Sequence, residues 1–250
     1  MKQDISSLKD KFELKVSSSE NLNFILNNSL DLVITSPPYN IGTDYTGSSD
    51  DKSLYGYETF IKNVFKECYE KLKMDAYCIV NIPENIKTKN EVWYYPKIYS
   101  SILKNIGFSL ISVHPWFKLS LDGELFTSKK WEEGKVCKDS HVHSVTEWFM
   151  IFKKSNQKEE FKIGEGFTFT PYKTPLHPAA WPVALIEELI KNYCQVEGKV
   201  LDPFAGICTT GLACVRNNRC FIGVDISKDY ISIGSKLLNE EMLKLKNKYS

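Results

Sequence analysis

Thr35-Ser36-Pro37-Pro38-Tyr39-Asn40 places a hydroxyl, two prolines and an aromatic ring directly after the apolar run Leu30-Asp31-Leu32-Val33-Ile34. The run reads as a short buried strand, and the prolines end it. Each proline fixes φ and removes an N–H donor, and Pro37 also keeps Ser36 out of the α region. The outcome is a rigid kink at a strand's carboxyl end, with carbonyls that lack a ladder partner and a ring just behind them. In an open α/β sheet, ligands bind at that edge. Stiff acceptors beside a ring are suited to gripping the exocyclic amine of a flat base while the ring stacks on it. The same residues also make a plain strand-ending turn with Tyr39 as packing.

A second constellation lies near the other end of the chain. Lys199-Val200-Leu201 runs into Asp202-Pro203-Phe204-Ala205-Gly206, and Thr209-Thr210-Gly211 then opens a helix through Val215. The following strand, Cys220–Asp225, ends in an acid 19 positions beyond Gly206. This is the plan of a nucleoside-binding βαβ unit. A glycine lets the backbone approach the ligand, a helix N-terminus offers N–H groups to an anionic end, and an acid at the next strand's tip pairs with ribose hydroxyls. The three-glycine dinucleotide fingerprint is absent, and one glycine turn suits a smaller ligand carrying a carboxylate. A glycine turn with a surface Asp225 is the bland alternative.

The elements that position these two stretches alternate. Phe12–Val16 is strand-like, Ser17-Ser18-Ser19-Glu20 reads as a helix entry, and Asn21–Asn28 carries a short apolar stripe. Ile41–Leu54, rich in Gly, Thr, Ser and Asp, reads as a mobile loop. Tyr57–Leu72 has helical spacing (Phe60, Ile61, Val64, Phe65, Cys68, Leu72). Ala76–Ile82 is a buried strand stopped by Pro83, Pro96–Ile106 a helix followed by Gly107, and Phe108–Val113 a strand. Trp148–Phe152 and Pro182–Cys194 supply a further strand and helix. Such alternation predicts a largely parallel sheet.

The alternation fails between Trp116 and Ser144. Lys118, Lys129, Lys130, Lys135, Lys138, His141 and His143 are mixed there with Trp116, Phe117, Phe126 and Trp131. Basic residues interleaved with aromatics make nucleic-acid surfaces; Asp122, Glu124, Glu132, Glu133 and Asp139 fit a solvated loop equally. Cys137, His141 and His143 lack a fourth ligand, so no metal is expected.

Composition sets the outer bounds. At 250 residues the chain is long enough for one large α/β domain, and 42% hydrophobic with 25% charged residues is ordinary for a soluble globular protein. A net charge of +1 neither favours nor excludes nucleic acid. No apolar run approaches the ~20 residues of a membrane span. Met1–Lys15 lacks the apolar core of a signal peptide. Seven cysteines without C-x-x-C argue for a reduced, cytoplasmic protein.

The two constellations together resemble the permuted (beta) class of S-adenosylmethionine-dependent DNA amino-methyltransferases. Thr35–Tyr39 is similar to that family's catalytic Ser-Pro-Pro-Tyr motif, and Asp202–Gly206 to its methionine-end cofactor motif. His177-Pro178-Ala179-Ala180-Trp181-Pro182 resembles the segment preceding the cofactor motif, and Glu147–Phe152 the family's Glu-plus-apolar strand. The order matters, because protein-glutamine methyltransferases carry a similar Pro-Pro-Tyr turn after their cofactor motif. Two departures stand out. Cys208 occupies a position where a glycine is common, and Ser17-Ser18-Ser19 stands where an acid often holds the cofactor's adenine.

The resemblance implies an α/β, Rossmann-like methyltransferase fold with helices on both faces of the sheet. It implies a catalytic half over 12–115, a target-recognition insertion over 116–146 and a cofactor half over 175–245. It assigns Ser36, Pro37, Pro38 and Tyr39 to catalysis. Asp202, Phe204, Gly206, Thr209, Asp225, His177 and Pro178 go to S-adenosyl-L-methionine. Double-stranded DNA is the expected substrate, with a restriction endonuclease reading the same site as a partner. Within the family a serine before Pro-Pro leans toward cytosine N4 and an aspartate toward adenine N6, so Ser36 favours cytosine. Adenine-N6 methylation, a non-catalytic DNA-binding subunit with a degenerate fold, and an RNA or nucleoside substrate are the alternatives.

Overall fold

The computed structural model describes residues 11–40, 44–45, 48–49, 51–87, 92–118, 146–169, 176 and 181–249. Its strands are β1 (Phe12–Val16), β2 (Leu30–Thr35), β3 (Asp44–Tyr45), β4 (Ser48–Ser49), β5 (Leu72–Pro83), β6 (Asn85–Lys87), β7 (Val92–Tyr94), β8 (Phe108–Lys118), β9 (Thr146–Lys154), β10 (Lys162–Ile163), β11 (Phe167–Phe169), β12 (Lys199–Asp202) and β13 (Cys220–Asp225). The helices are α1 (Leu54–Lys71), α2 (Tyr95–Ile106), α3 (Val183–Tyr193), α4 (Thr209–Arg216) and α5 (Lys228–Tyr249).

Nine strands form the main sheet, in the order β1-β13-β12-β2-β5-β9-β8-β10, with β11 also on β8. Every pairing is parallel except those of β9, which runs against both β5 and β8. From β12 the chain moves outward to β13, and from β2 it moves the opposite way to β5. Strands β2 and β12 are direct neighbours (Val33 opposite Leu201), so the topological switch point lies between them. A crevice at their carboxyl ends is the expected binding place.

Helices cover both faces. On β2, Val33 points into one core while Leu32 and Ile34 point into the other; on β5, Cys78 and Val80 oppose Ile79 in the same way. The first core is completed by α1 (Ile61, Val64, Phe65, Cys68) and α2 (Tyr95, Tyr99, Leu103). The second is completed by α3 (Leu185, Ile186, Leu189, Ile190), α4 (Ala213, Cys214, Val215) and α5 (Leu238, Met242). Ser53 caps α1 by accepting from Gly56 N at 3.2 Å. The far end of α1 is capped from another strand: the buried Lys154 Nζ donates to the carbonyls of Tyr69 (2.7 Å) and Leu72 (2.8 Å) and to Asn28 Oδ1 (2.9 Å). Gly107 closes α2 at φ 125°.

Three expectations are corrected. Residues 21–28 form turns rather than a helix. Their donors are taken by α1: Leu22 N bonds Glu67 Oε2 (2.9 Å) and Asn28 N the carbonyl of Glu70 (3.0 Å), while Leu22 and Ile25 are buried. So short a stripe gains more from docking than from helical nucleation. The Ile41–Leu54 loop contains an antiparallel pair, Asp44–Tyr45 with Ser48–Ser49. Strand β8 runs on to Lys118, so Trp116, Phe117 and Lys118 belong to the sheet, and Thr146 belongs to β9. Trp116 and Lys118 are buried, which removes them from a DNA-facing surface. The stretch after β9, in which the sequence marks no strand, adds β10 and β11 to the β8 edge. The remainder of the predicted insertion, including Cys137, His141 and His143, lies outside the described residues. No described helix is long and apolar enough to cross a membrane.

Candidate active site at the β2–β12 crevice

The Pro-Pro turn at the end of β2 is braced by tyrosines. Tyr57 on α1 donates its hydroxyl to the Pro38 carbonyl at 3.0 Å and pairs with the Tyr99 hydroxyl at 2.8 Å. The Tyr95 hydroxyl donates to the Tyr39 carbonyl. Asn40, in the left-handed region at φ 56°, clamps Lys52 by donating to its carbonyl (2.6 Å) and accepting from its N–H (2.7 Å). Two of the carbonyls left over from the ladder thus have side-chain donors. The Pro37 carbonyl has none among the described residues. Ser36 and Tyr39 are half-buried.

Behind the turn lies a polar cluster. The Tyr39 hydroxyl is 2.9 Å from Ser36 Oγ, 3.1 Å from Asn81 Oδ1 and 3.3 Å from Glu147 Oε2. Glu147 forms an ion pair with Lys118, and both are buried. Lys118 Nζ also sits 5.4 Å from the centre of the Trp116 ring. Asn81, at the end of β5, is fully buried and its Nδ2 has no partner among the described residues.

The second turn meets the first through a buried side-chain bond. Thr35 Oγ1 donates to Asp202 Oδ1 at 2.7 Å. Asp202 Oδ1 also accepts from Phe204 N (3.1 Å), and Oδ2 accepts from Thr210 Oγ1 (2.6 Å). Burial pushes the Asp202 carboxyl up to about 6, with the Thr210 and Thr35 hydroxyls and Phe204 N opposing the rise. Asp202 therefore braces the turn from beneath.

Gly206 adopts φ 50° and donates its N–H to Asp225 Oδ2 at 2.9 Å. Ser227 N donates to Asp225 Oδ1 at 2.8 Å. Burial raises the Asp225 carboxyl, and those two amides with that of Ile226 pull it back. Both of its oxygens keep lone pairs for another donor. Phe204 packs on Phe60 of α1 (ring centres 5.8 Å apart), and Thr209 is buried in the first turn of α4. Ser19, in the serine run, donates its hydroxyl to the Pro203 carbonyl.

Cys208 is fully buried in the left-handed region at φ 64°. Its side chain turns into α5, where a Cβ on Gly234 would lie 2.4 Å from its Sγ. Burial raises the thiol far above its ordinary value. The cysteine standing in for a glycine thus packs against a glycine on a neighbouring helix.

Sequence reasoning placed Ser36, Pro37, Pro38, Tyr39, Asp202, Phe204, Gly206, Thr209 and Asp225, and the fold brings all nine to one sheet edge. His177 and Pro178 lie outside the described residues. The bracing roles of Tyr57, Tyr95, Thr35, Thr210, Asn81 and Lys118 were missed, since only tertiary contact creates them.

The Ser-Pro-Pro-Tyr turn and the Asp202–Gly206 turn thus stand side by side at the switch point of an α/β sheet. Residues 30–236 match the family described as DNA methylase of the N6/N4 type, and the chain belongs to that family. It is a DNA methyltransferase. It is 28% identical over 238 residues to the type II methyltransferase M.HpaI of Haemophilus parainfluenzae, covering 86% of this chain and 69% of that protein. Its fold is similar to that of PvuII DNA methyltransferase (cytosine-N4-specific), with a TM-score of 0.70 at 19% identity over 95% of this chain and 93% of that one. It is also similar to a DNA modification methylase of Thermus thermophilus complexed with S-adenosyl-L-methionine, with a TM-score of 0.68 at 20% identity over 92% and 94% of the two chains.

Proposed function

We propose that this chain transfers a methyl group from S-adenosyl-L-methionine to the N4 amine of a cytosine flipped out of duplex DNA. The observation that carries this reading is the Thr35–Asp202 bond, which joins the Ser-Pro-Pro-Tyr turn to the Asp202–Gly206 turn and so supports one site shared by amine and cofactor. The donor set fits the cofactor: Asp225 keeps acceptor capacity for ribose hydroxyls, and the first turn of α4 with Thr209 offers N–H groups to a carboxylate. Phe204 and Gly206 would line the approach, with His177 and Pro178 completing the methionine end. When bound, S-adenosylmethionine supplies an electrophilic sulfonium methyl.

An amine conjugated into a base ring is a poor nucleophile. Ser36 Oγ and the Pro37 carbonyl would accept its N–H groups and draw its lone pair out of conjugation. The Tyr39 ring would stack on the flipped base, offsetting part of an unstacking cost of a few kcal/mol. Holding the amine in line with the methyl contributes the largest effect. Cysteine chemistry is not called on, in keeping with the buried, high-pKa thiols of Cys68, Cys78, Cys208 and Cys214.

Ser36 in place of an aspartate supports cytosine N4 over adenine N6. Target recognition is assigned to the remainder of the insertion after Lys118, with the Ile41–Leu54 segment. A restriction endonuclease reading the same site is the partner this function calls for. Incubation with labelled S-adenosylmethionine and unmethylated duplex genomic DNA, followed by separation of the nucleosides by mass, tests the reading. The expected product is 4-methylcytosine. 6-Methyladenine overturns the base, and methylation confined to RNA or free nucleosides overturns the substrate.

A further inference from the structure

We infer that Asn81 and Glu147, the latter held by Lys118, are positioning residues that fix the direction of the hydrogen bond between Ser36 and Tyr39 and so make Ser36 Oγ an acceptor. The inference rests on the proposed methyl transfer to an amine. To receive an amine N–H, the serine hydroxyl must turn its lone pairs to the substrate and send its own proton elsewhere. Among the described residues its side-chain partner is the Tyr39 hydroxyl, at 2.9 Å.

A phenol carries a single proton. Asn81 Oδ1 (3.1 Å) and the Glu147 carboxylate (3.3 Å) also face that hydroxyl, and both are acceptors. When either of these acceptors takes the Tyr39 proton, Ser36 is the donor in its own contact with Tyr39, and that is the inferred arrangement. The ion pair with Lys118 holds Glu147 in place, and a carboxylate is the stronger acceptor of the two. Burial of Lys118, Glu147 and Asn81 excludes water that would otherwise scramble the directions. Among the described residues, the three rear residues reach Ser36 through the Tyr39 hydroxyl rather than by bonding to Ser36 itself.

That single route gives the test. Methyl incorporation into unmethylated duplex genomic DNA is measured at saturating labelled cofactor for Glu147→Gln and Asn81→Ala, each in the wild-type and in a Tyr39→Phe background. Tyr39→Phe alone lowers kcat about 10-fold or more while leaving KM for DNA and cofactor binding within about 3-fold. In the wild-type background Glu147→Gln and Asn81→Ala each lower kcat. In the Tyr39→Phe background neither lowers it further, since the hydroxyl through which they act is gone. The double replacement Lys118→Met with Glu147→Leu, which leaves no unpaired buried charge, follows the same pattern and covers a Glu147→Gln protein that does not fold. Equal losses in both backgrounds mean a merely structural role and overturn the inference. A folded wild-type protein that incorporates no methyl group fails earlier, and sinks the methyl-transfer reading along with the inference.

Discussion

Thr35 Oγ1 donates to Asp202 Oδ1 at 2.7 Å with both side chains buried, joining the last residue of β2 to the last residue of β12. Residues 167 apart in sequence thereby hold the two walls of the crevice in register. Thr35→Val keeps the shape and removes the donor. Loss of one hydrogen bond to a charged group predicts a stability drop of about 2 kcal/mol by denaturant unfolding. A fall of several-fold in cofactor affinity by calorimetry should accompany it.

The same carboxylate predicts a pH dependence. The Asp202 carboxyl stands at about 6, above its ordinary 3.8, so between those values the folded protein holds a proton that the unfolded chain does not. Its contribution to stability is therefore greatest at the acid end of that window, falls as pH rises through it, and is level above about 6. Asp202→Asn should flatten this segment of the curve. Unfolding free energies of the two proteins, measured from pH 4 to pH 7, should diverge with that slope.

Cys208 and Gly234 form a size-matched pair. Gly234→Ala drives a methyl group into Cys208 Sγ and should destabilise by about 1–3 kcal/mol. Cys208→Gly in that background removes the obstacle and suits the left-handed backbone at φ 64°. The double variant should therefore melt above Gly234→Ala alone, a non-additive result that thermal unfolding reads directly.

Lys154 predicts a separation of stability from activity. Lys154→Met leaves the carbonyls of Tyr69 and Leu72 and Asn28 Oδ1 without their donor. The expected cost is about 2–4 kcal/mol. None of these groups touches the crevice, so kcat at a temperature where the variant is folded should stay at the wild-type level.

The sheet and both turns were legible in the sequence because their signals are local. Pro37-Pro38 must end a strand wherever it lies, and Gly206 followed by Thr209-Thr210 must turn a strand into a helix. Residues 21–28 were misjudged because Glu67 and Glu70 of α1, far along the chain, take the donors that a helix would have used. Lys118 looked like part of a basic surface because Glu147, its partner, is 29 positions away. Tyr57 stood only at the start of a helical segment and Tyr95 carried no local signal; packing alone brings their hydroxyls to the Pro38 and Tyr39 carbonyls. Cys208 resembled a defect in the cofactor motif, and the fold accounts for it by setting Gly234 opposite its side chain.

Single-turnover methyl transfer by Ser36→Ala tests most directly whether the chemistry takes place at the β2 turn. With labelled S-adenosylmethionine and duplex DNA both saturating, the variant should bind cofactor within about 2-fold of wild type and transfer the methyl group about 100-fold more slowly, roughly 2.7 kcal/mol of lost transition-state stabilisation. Transfer by Ser36→Ala at the wild-type rate would contradict the assignment of the turn as the amine-binding wall of the active site.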